Sequence, residues 1–367
     1  MKQDYFNPVK VINTNNWLSE VQFRQQNLSI SNPMIITSPG NRVRLNIDSN
    51  FLPESIYSGL NGYPTFYDCK YIIEFCRNKK YDGVIAIGGG STMDLAKVAI
   101  AYLSTEKMNI HKLIEYKENY VKTIPSIFLP TTHGTASEVT MWGTIWNTDE
   151  KKKYSISHPN LYPSVAILDG NLTLTLPIDI SLITVLDALS HSFESIWNKN
   201  SNPKSTAYAI NAICMILSNV DLLKSNPLNL KVRQKLLEGS NLAGQAFSNT
   251  ATSAAHSISY PLTIHYGIPH GVASSITLLS LLEINGEFIK EPLDKICNNL
   301  ELTYIELKQK INSIPKNIVP FTLKEWKIPV NQLPMLASES FTKGRMENNV
   351  VDLSIDDVLG ILQKLYC

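Results

Sequence analysis

The stretch VIAIGGGSTMDLAKVAI at residues 84–100 decides the fold of this chain. Its first four residues are apolar and rich in β-branched side chains, which is typical of a strand buried in a parallel sheet. Three glycines and a serine follow, and from Thr92 the apolar residues recur with helical spacing. In a strand, glycine turn and helix of this kind, backbone N–H groups and the positive end of the helix dipole can bind a pyrophosphate. A triple glycine also occurs in plain tight turns, but in this context the candidate cofactor-binding residues are Gly88, Gly89, Gly90 and Ser91, together with Asp94 in the helix that follows.

Other strands of the same α/β domain are predicted from short β-rich runs bounded by Asn, Ser, Pro and Gly. These runs lie at residues 9–12, 33–37, 124–130, 142–146 and 165–169, and a helical pattern lies at 67–78. The run at 124–130 leads into TTHGTASEVT at 131–140, where small hydroxyl residues and one glycine let the backbone come close to a polar ligand. The same composition fits a turn with an N-cap ahead of a helix. The candidate cofactor contacts in this loop are Thr131, Thr132, Thr135 and Ser137.

Basic residues near two of these strands bear on the choice of nicotinamide cofactor. In a doubly wound nucleotide domain, an acidic residue after a strand can bond the ribose 2′-hydroxyl of NAD. Residues 37–44 read TSPGNRVR, with two arginines and no carboxylate, so Ser38 and Arg42 favour the 2′-phosphate of NADPH. Surface arginines are often merely solvated, which leaves NADH as the alternative. Lys153, in the lysine run at 151–153, is a candidate contact to a phosphate or ribose unless the run is only a solvated surface.

Four residues in the second half of the chain can form a metal site. Asp187 and His191 stand four apart in a helical pattern at residues 182–193, so both side chains leave the same helix face. His256 and His270 would complete a set of one carboxylate and three imidazoles, which suits Fe(II) or Zn(II) better than Ca²⁺ or Mg²⁺. Taken alone, each histidine is better explained as an ordinary polar residue.

Length and composition indicate two domains and a small-molecule partner. A chain of 367 residues exceeds the size at which a single core keeps growing, and strand patterns give way to helical ones after Pro177. We expect an α/β nucleotide-binding domain at residues 1–177 and a helical metal-binding and substrate domain at 178–367, with helices at 208–223, 230–247 and 253–260. The net charge of +1, from scattered Lys and Arg, gives no electrostatic surface for nucleic acid or an anionic membrane.

The cysteines and the N-terminus indicate a cytoplasmic protein. The 5 cysteines, at positions 69, 76, 214, 297 and 367, are odd in number and show no CxxC spacing. This pattern is typical of free thiols in a reducing compartment. The N-terminal residues lack the apolar core of a signal peptide, and no apolar run approaches membrane-spanning length.

These motifs together resemble the iron-containing (group III) alcohol dehydrogenase family over essentially the whole chain. The resemblance lies in Gly88-Gly89-Gly90-Ser91 with Asp94 and Lys97, in Pro130-Thr131-Thr132-x-Gly134-Thr135-x-Ser137-Glu138, in Asp187-x-x-x-His191, and in His256 and Pro269-His270-Gly271. It implies an N-terminal α/β dinucleotide-binding domain and an all-α C-terminal metal-binding domain, in the fold shared with dehydroquinate synthase. It also implies a homodimer, with metal and nicotinamide meeting in a cleft between the domains.

The chain departs from the family pattern at two positions. The family commonly has a second histidine four residues after the third metal ligand, where this chain has Tyr260. The usual Asp after the second strand is replaced by Ser38, in agreement with NADPH. The proton needed by the product oxygen would then come from Tyr260, His265 or an ordered water, and His265 fits a surface or supporting histidine better.

Within that family the chain looks most similar to the phosphonoacetaldehyde reductases. The similarity lies in residues 144–146, 154–159, 161–163, 259–263 and 344–349. It implies reduction of phosphonoacetaldehyde to 2-hydroxyethylphosphonate by NADPH or NADH. A phosphonate dianion needs a cation near the site, for which Arg345 is the candidate, a surface salt bridge being its other explanation.

Three other functions remain open on the sequence. One is a general short- or medium-chain alcohol dehydrogenase of the same family. Another is a metal-dependent lyase of the dehydroquinate synthase type, which would show no net change in nicotinamide absorbance. The third, a non-enzymatic metal- and nucleotide-binding protein, is disfavoured because a carboxylate with three imidazoles and no cysteine resembles an open site more than a closed structural one.

Overall fold

A computed structural model describes residues 4–60, 62–105, 109–115, 120, 122–150 and 152–366. Lys151 of the lysine run and the last cysteine, Cys367, lie outside the described residues. The chain divides into two compact units. The first, here called the sheet unit, comprises Asn7–Thr132 and Ala136–Thr173, and the second, the helical unit, comprises Met1–Phe6, His133–Thr135 and Leu174–Cys367. The domain boundary predicted at Pro177 stays a prediction.

The sheet unit contains one parallel sheet and one antiparallel strand pair. The parallel sheet has the order β1-β8-β5-β4-β2-β3, and β6 pairs with β7. The strands are β1 (Lys10–Asn13), β2 (Pro33–Thr37), β3 (Ile56–Tyr57), β4 (Gly83–Gly88), β5 (Ser126–Pro130), β6 (Trp142–Asn147), β7 (Lys152–Ser157) and β8 (Val165–Leu168). The sequence patterns predict neither β3, which is only two residues long, nor β7, whose lysines obscure the strand pattern.

The strand β4 is buried on both faces, as its continuous apolar sequence predicts. Val84 and Ala86 belong to one core cluster, and Ile85 and Ile87 belong to another. Because successive side chains of a strand point to opposite faces, the two clusters lie on the two sides of the sheet. The helices of this unit are α1 (Trp17–Asn27), α2 (Pro39–Arg44), α3 (Phe66–Cys76), α4 (Gly90–Ser104) and α5 (Ile110–Glu115).

The helical unit is built around one continuous hydrophobic core. Its helices are α6 (Ile178–Ile196), α7 (Pro203–Ser225), α8 (Leu230–Thr250), α9 (Ala254–Tyr266), α10 (His270–Ser275), α11 (Leu278–Asn285), α12 (Lys290–Leu300), α13 (Tyr304–Ser313), α14 (Leu333–Glu339) and α15 (Ile355–Lys364). The first three pack against one another, and α10 packs on α6. The predicted fold class, an α/β part followed by an all-α part, is confirmed.

Two stretches, Pro203–Ser225 and His270–Leu300, are long and apolar enough to cross a membrane by length and composition alone. Their apolar residues, such as Ile213, Ile216 and Leu281, are part of the core of the helical unit. Core helices of folded proteins pass the same test, so these stretches are weak evidence for a membrane segment.

Two glycines allow close approach to α6, the helix that carries Asp187. A Cβ atom on Gly271 would lie 2.1 Å from the carbonyl oxygen of Ile183, and one on Gly134 would lie 2.8 Å from that of Thr184. Both distances are far below van der Waals contact, and the obstructing atoms are backbone atoms that cannot rotate away. The start of α10, where His270 lies, therefore reaches α6 only because residue 271 lacks a side chain.

The substitution Gly271→Ala should destabilise the helical unit by about 1–3 kcal/mol, because the added methyl group forces α10 away from α6. Gly360→Ala is the matched control, since nothing lies within 4 Å of a Cβ at this position of α15. Alanine there should stabilise the protein by about 0.5–1 kcal/mol through its higher helix propensity. Thermal unfolding with a chelator present measures both, and equal effects of the two substitutions would contradict the packing argument.

Candidate metal centre and nucleotide site

The helix α6 presents three titratable side chains along one buried face. Asp187, His191 and Glu194 are four and seven residues apart, which places them on successive turns of the same face. All three are buried, and Glu194 has no exposed surface. Buried charged and polar groups need partners to offset the loss of water. This face therefore indicates a functional site rather than a packing surface.

Histidines from α9 and α10 complete a cluster with Asp187. One carboxylate oxygen of Asp187, Oδ1, lies 3.5 Å from His256 Nε2 and 3.8 Å from His270 Nε2. The three ligand atoms lie within 4.8 Å of one another. The side chain of His270 is 23% exposed, whereas those of Asp187 and His256 are 3% exposed. The cluster is thus accessible from the side of His270.

The fourth predicted ligand, His191, lies beside the cluster. Its ring stacks on the ring of His256, with centroids 4.5 Å apart, and on the ring of Phe247 at 4.0 Å. Its Nδ1 is buried and has no hydrogen-bond partner among the residues that the structure describes. The structure therefore brings Asp187, His256 and His270 together as ligands, and it holds His191 against them.

The titration of these groups follows from burial and from their mutual charges. Burial lowers the pKa of His191 to about 4, so this ring is neutral at pH 7. Burial also lowers the pKa of His256, but the neighbouring carboxylates of Glu194 and Asp187 outweigh burial and raise this pKa to about 10. Burial raises the pKa of Asp187, and the nearby histidines outweigh burial and hold it far below its ordinary value. The aspartate is ionised and ready to bind a cation.

The donor set fits Fe(II) or Zn(II). Carboxylate oxygen and imidazole nitrogen are ligands that both ions accept. His256 Nε2 is buried, points at Asp187 and has no hydrogen-bond partner within the described part of the chain. A buried polar atom without a hydrogen-bond partner is unfavourable, and a metal ion bound to this nitrogen would remove that cost.

Two supporting residues of the cluster are not among the sequence-predicted site residues. Ser274 Oγ donates a hydrogen bond to Asp187 Oδ1 at 2.8 Å. Glu194 accepts from the backbone of His256 and contacts its Nδ1. The sequence carried a signal for Glu194, since a carboxylate seven residues after Asp187 lies on the same helix face. It carried none for Ser274.

In the sheet unit, the predicted phosphate turn lies at the carboxyl edge of the parallel sheet. The neighbouring strands β2, β4 and β5 end at Thr37, Gly88 and Pro130, which stand in adjacent register. Gly89 is the N-cap of α4 and has no side chain to cap it, so the first N–H groups of this 15-residue helix are available to an anion. Ligands of open α/β sheets bind at this edge.

The loop after β5 is tied to the glycine turn. Thr131 N–H donates to the carbonyl of Gly88 at 3.0 Å, and Asn41 Nδ2 donates to Thr131 Oγ1 at 3.3 Å. The side chain of Thr132 lies against Gly89, where a Cβ atom would meet its methyl group at 3.1 Å. Thr135 belongs to the helical unit. The alternative explanation of the loop, an N-cap ahead of a helix, does not apply, because residues 137–139 make a single 3₁₀ turn before β6.

A buried lysine holds the rest of that loop. Lys97 Nζ donates to Ser137 O, Ser137 Oγ, Thr140 Oγ1 and Trp142 O at 2.7–2.9 Å. Ser137 Oγ in turn donates to Asp94 Oδ1 at 2.7 Å, and Thr144 N–H donates to Asp94 Oδ2 at 3.0 Å. Burial lowers the pKa of Lys97 to about 8, against the opposing charges of Asp94 and Glu138. In the structure, Asp94 and Ser137 form hydrogen bonds that hold the loop in place. That either residue contacts the cofactor directly stays a prediction.

The residues predicted to contact the ribose or its 2′-phosphate, which are Ser38, Arg42 and Lys153, have contacts within the protein. Ser38 is the N-cap of α2 and accepts from Asn41 N–H. Arg42 forms an ion pair with Asp48 at 2.6 Å and donates to Ser58 Oγ at 3.1 Å. Lys153 Nζ lies 5.8 Å from the centre of the Trp146 ring. Their contacts with a nucleotide stay predictions.

The three residues predicted for catalysis have different surroundings. Tyr260 is partly exposed and lies one turn after His256 on α9. Arg345 is partly exposed, and its Nη1 donates to the carbonyl of Gly344 at 2.8 Å. His265 is exposed and bonded to Glu339 at 2.6 Å, and its nine residues from His256 correspond to about 14 Å of helix. A role of His265 as the proton donor stays a prediction.

Two sequence models of known families match the chain. The model described as "Iron-containing alcohol dehydrogenase" matches residues 8–170. The model described as "Fe-containing alcohol dehydrogenase family, C-terminal" matches residues 181–366. Together they cover almost all of the described residues.

Individual relatives agree with these matches. The probable alcohol dehydrogenase EutG of Escherichia coli strain K12 is 32% identical over 259 residues, which cover 70% of this chain and 65% of that protein. The NADPH-dependent butanol dehydrogenase of Clostridium saccharobutylicum is 29% identical over 313 residues, covering 80% and 79%. The crystal structure of sulfoacetaldehyde reductase from Bifidobacterium kashiwanohense, in complex with NAD+, matches with a TM-score of 0.85 at 27% identity, covering 100% and 99%.

One further histidine, in the helical unit, is buried without hydrogen bonds from its ring. His133 is 0% exposed, and both ring nitrogens lack partners among the residues that the structure describes. Burial and then the charge of Arg233 lower its pKa from 6.5 to about 3. Between these two values the unfolded chain binds a proton that the folded protein excludes, so His133 increasingly destabilises the fold as the pH falls below 6.5.

The substitution His133→Leu should therefore stabilise the protein, and more so in acid. At pH 7 we expect the free energy of unfolding to rise by about 1–3 kcal/mol, because the substitution removes two buried nitrogens that lack hydrogen bonds. At pH 5 the gain should grow by about 2 kcal/mol, at roughly 1.4 kcal/mol per pH unit. Denaturant unfolding at both pH values measures the difference. His111→Leu, at an exposed histidine, is the control, and a gain from His133→Leu that is independent of pH would contradict this account.

Proposed function

The chain belongs to the iron-containing alcohol dehydrogenase family, and we propose that, as a metal-dependent NAD(P)-linked alcohol and aldehyde oxidoreductase, it reduces phosphonoacetaldehyde to 2-hydroxyethylphosphonate. The observation that carries the reaction class is the buried cluster of Asp187, His256 and His270, which is open on the side of His270. An open site with one carboxylate and imidazoles suits catalysis better than a structural role.

The chemistry divides between bound groups and this chain's own residues. When bound, a divalent metal supplies Lewis-acid polarisation of the carbonyl, and reduced nicotinamide supplies a hydride. The chain would hold the metal with Asp187, His191, His256 and His270. Ser274 fixes the carboxylate of Asp187 through a hydrogen bond, so the ligand is oriented before the metal arrives.

The product oxygen needs one proton, and Tyr260 is our proposed donor. It stands four residues after His256 on α9, so both side chains leave the same helix face one turn apart. A phenol O–H can donate a proton directly or through one water. The exposed ion pair of His265 with Glu339 leaves Tyr260 or an ordered water for this role.

The anionic end of the substrate is proposed to contact Arg345. The segment that carries Arg345 packs on the first turns of α9: Thr342 N–H donates to Ser257 Oγ, and Asn348 Nδ2 donates to Thr252 O. These residues flank His256 in sequence. Only one nitrogen of the Arg345 guanidinium donates to Gly344, so the group has further N–H donors. Two parallel N–H groups of a guanidinium can bind two oxygens of a phosphonate together. The similar structure of a sulfoacetaldehyde reductase, an enzyme named for another small anionic aldehyde, supports this class of substrate.

A neutral short- or medium-chain aldehyde is the second candidate substrate, since the chain is 29% identical to a butanol dehydrogenase.

A preference for NADPH over NADH is part of the main proposal. The Arg42–Asp48 pair is partly exposed, with side chains 28% and 46% accessible. Exposed ion pairs contribute little free energy, so a 2′-phosphate can compete with Asp48 for the guanidinium.

The substrate proposal is tested with a panel of aldehydes, each with NADPH and with NADH, after reconstitution with Fe(II) or Zn(II). We expect kcat/KM for phosphonoacetaldehyde to exceed that for butanal by about 10–100-fold, the value of a charged hydrogen bond. Arg345→Gln should lose most of this ratio while leaving butanal turnover unchanged. If butanal is the better substrate, the second candidate replaces the first.

The proton-donor proposal is tested by Tyr260→Phe. Loss of a general acid should lower kcat by about 10²-fold or more and shift the pH profile of kcat. Tyr266→Phe, in the last turn of the same helix, is the matched control and should behave like the wild-type protein. Full turnover with an unchanged pH profile in Tyr260→Phe would exclude a role for Tyr260.

Cytoplasmic location and a homodimer complete the proposal. The described cysteines Cys69, Cys76, Cys214 and Cys297 are free, which fits a reducing compartment. The homodimer is the assembly implied by the family resemblance, and light scattering of the purified protein measures it.

A further inference from the structure

Glu194 is the most completely buried charged partner of the metal cluster. Its side chain has no exposed surface, and it lies on α6 seven residues after Asp187. One oxygen, Oε2, contacts His256 Nδ1. The other, Oε1, accepts hydrogen bonds from His256 N–H at 3.2 Å, from Ser253 N–H at 3.0 Å and from Ser253 Oγ at 3.1 Å. A single carboxylate thus contacts both the backbone and the ring of one predicted ligand.

We infer that Glu194 is a positioning residue of the metal centre, which holds His256 with its proton on Nδ1 and its Nε2 turned to the metal. This inference rests on the proposed metal-dependent function. Glu194 is not one of the residues proposed to bind the metal, the cofactor or the substrate. Among the hydrogen bonds of the described residues, Glu194 reaches the metal cluster through His256, so its role is exerted through that residue.

The two ends of the His256 ring have opposite surroundings, and this difference carries the inference. Nδ1 contacts the carboxylate of Glu194, whose other oxygen accepts three hydrogen bonds, so Nδ1 is the donor in this contact. Nε2 lies 3.5 Å from Asp187 Oδ1 and has no hydrogen-bond partner within the described residues. In a neutral imidazole with its hydrogen on Nδ1, the lone pair is on Nε2, which is the atom that faces the cluster.

Glu194 also fixes where α9 begins. The N-cap residue Ser253 makes no side-chain cap of its own. Oε1 of Glu194 takes that role from α6 by accepting from the N–H groups of Ser253 and His256. A negative charge at a helix N-terminus is also favoured by the helix dipole. The turn that carries His256 is therefore held to the helix that carries Asp187.

The variant Glu194→Gln separates the two roles. The side chains are nearly the same size, and the glutamine oxygen can still cap α9. Its amide nitrogen would then face His256 Nδ1 as a donor, which requires Nδ1 to accept and moves the proton to Nε2. A helix cap alone would survive this change, whereas a role in orienting the ligand would not.

We expect Glu194→Gln to weaken Zn(II) binding by about 10–100-fold, the range for residues that orient metal-bound histidines. Competition with a chromophoric chelator measures the dissociation constant without any turnover. The far-ultraviolet circular dichroism and the binding of NADPH should remain those of the wild-type protein. Glu238→Gln is the matched control, because this glutamate of α8 pairs only with neighbours on its own helix, Gln234 and Lys235, in the contacts described. Unchanged Zn(II) affinity in a folded Glu194→Gln variant overturns the inference.

Ser253→Ala provides a second control. It removes the Ser253 hydroxyl from Oε1 but leaves Oε2 on His256 Nδ1. Thermal stability should fall while Zn(II) affinity stays near the wild-type value. An affinity loss equal to that of Glu194→Gln would mean that helix placement alone matters, which overturns the tautomer argument.

If Glu194→Gln does not fold, nitrogen-15 spectra of the wild-type protein decide the question. In Zn(II)-loaded protein labelled at its 7 histidines, His256, assigned from its loss in His256→Asn, should show a protonated Nδ1 and a metal-bound Nε2. A metal-bound Nδ1 overturns the inference. If the wild-type protein binds Zn(II) but reduces no aldehyde, the proposed function fails while this inference stands, and if it binds no metal, both fail.

Discussion

The helical unit depends on keeping one carboxylate ionised where water cannot reach it. Asp187 is buried, and an unpaired charge in such a place would be strongly unfavourable. Its charge is offset by a hydrogen bond from Ser274 and by the imidazole rings of His256 and His270, which α9 and α10 supply. The helices α6, α9 and α10 must therefore meet at this point, and Gly271 removes the side chain that would keep α10 away. A metal ion would give a partner to His256 Nε2, which has no hydrogen bond among the described residues.

The candidate nucleotide site in the sheet unit follows a different principle, since the groups that could bind the phosphates are mostly backbone groups. The glycine turn after β4 and the threonines after β5 stand at one edge because parallel strands in register end together. Side chains enter mainly as supports. Lys97 binds four oxygen atoms of the loop 137–142 from inside the unit. The phosphate-binding surface is thereby shaped without exposing that charge.

The sequence predicts a feature of the fold or of the site where residues close together in the chain form a pattern that only one local structure explains. The spacing of Asp187 and His191 predicts a shared helix face, and the apolar run before Gly88 predicts a strand buried on both sides. His256 and His270 could be joined to them only through family resemblance, because no local pattern relates residues so far apart. Glu194 was missed although it lies on the same face as Asp187. The strand β7 was obscured by its lysines, and the pairing of His265 with Glu339 depends on a contact between distant residues.

The central claim is that Asp187, His191, His256 and His270 bind the metal ion that the oxidoreductase requires. Anomalous X-ray diffraction from crystals of the Zn(II)-loaded protein, recorded above the zinc absorption edge, tests it most directly. The account predicts one strong peak per chain, at about 2.0–2.2 Å from Asp187 oxygen and from Nε2 of His256 and His270. A protein that binds zinc stoichiometrically with its peak at other residues, or with His256 joined through Nδ1, would contradict the account.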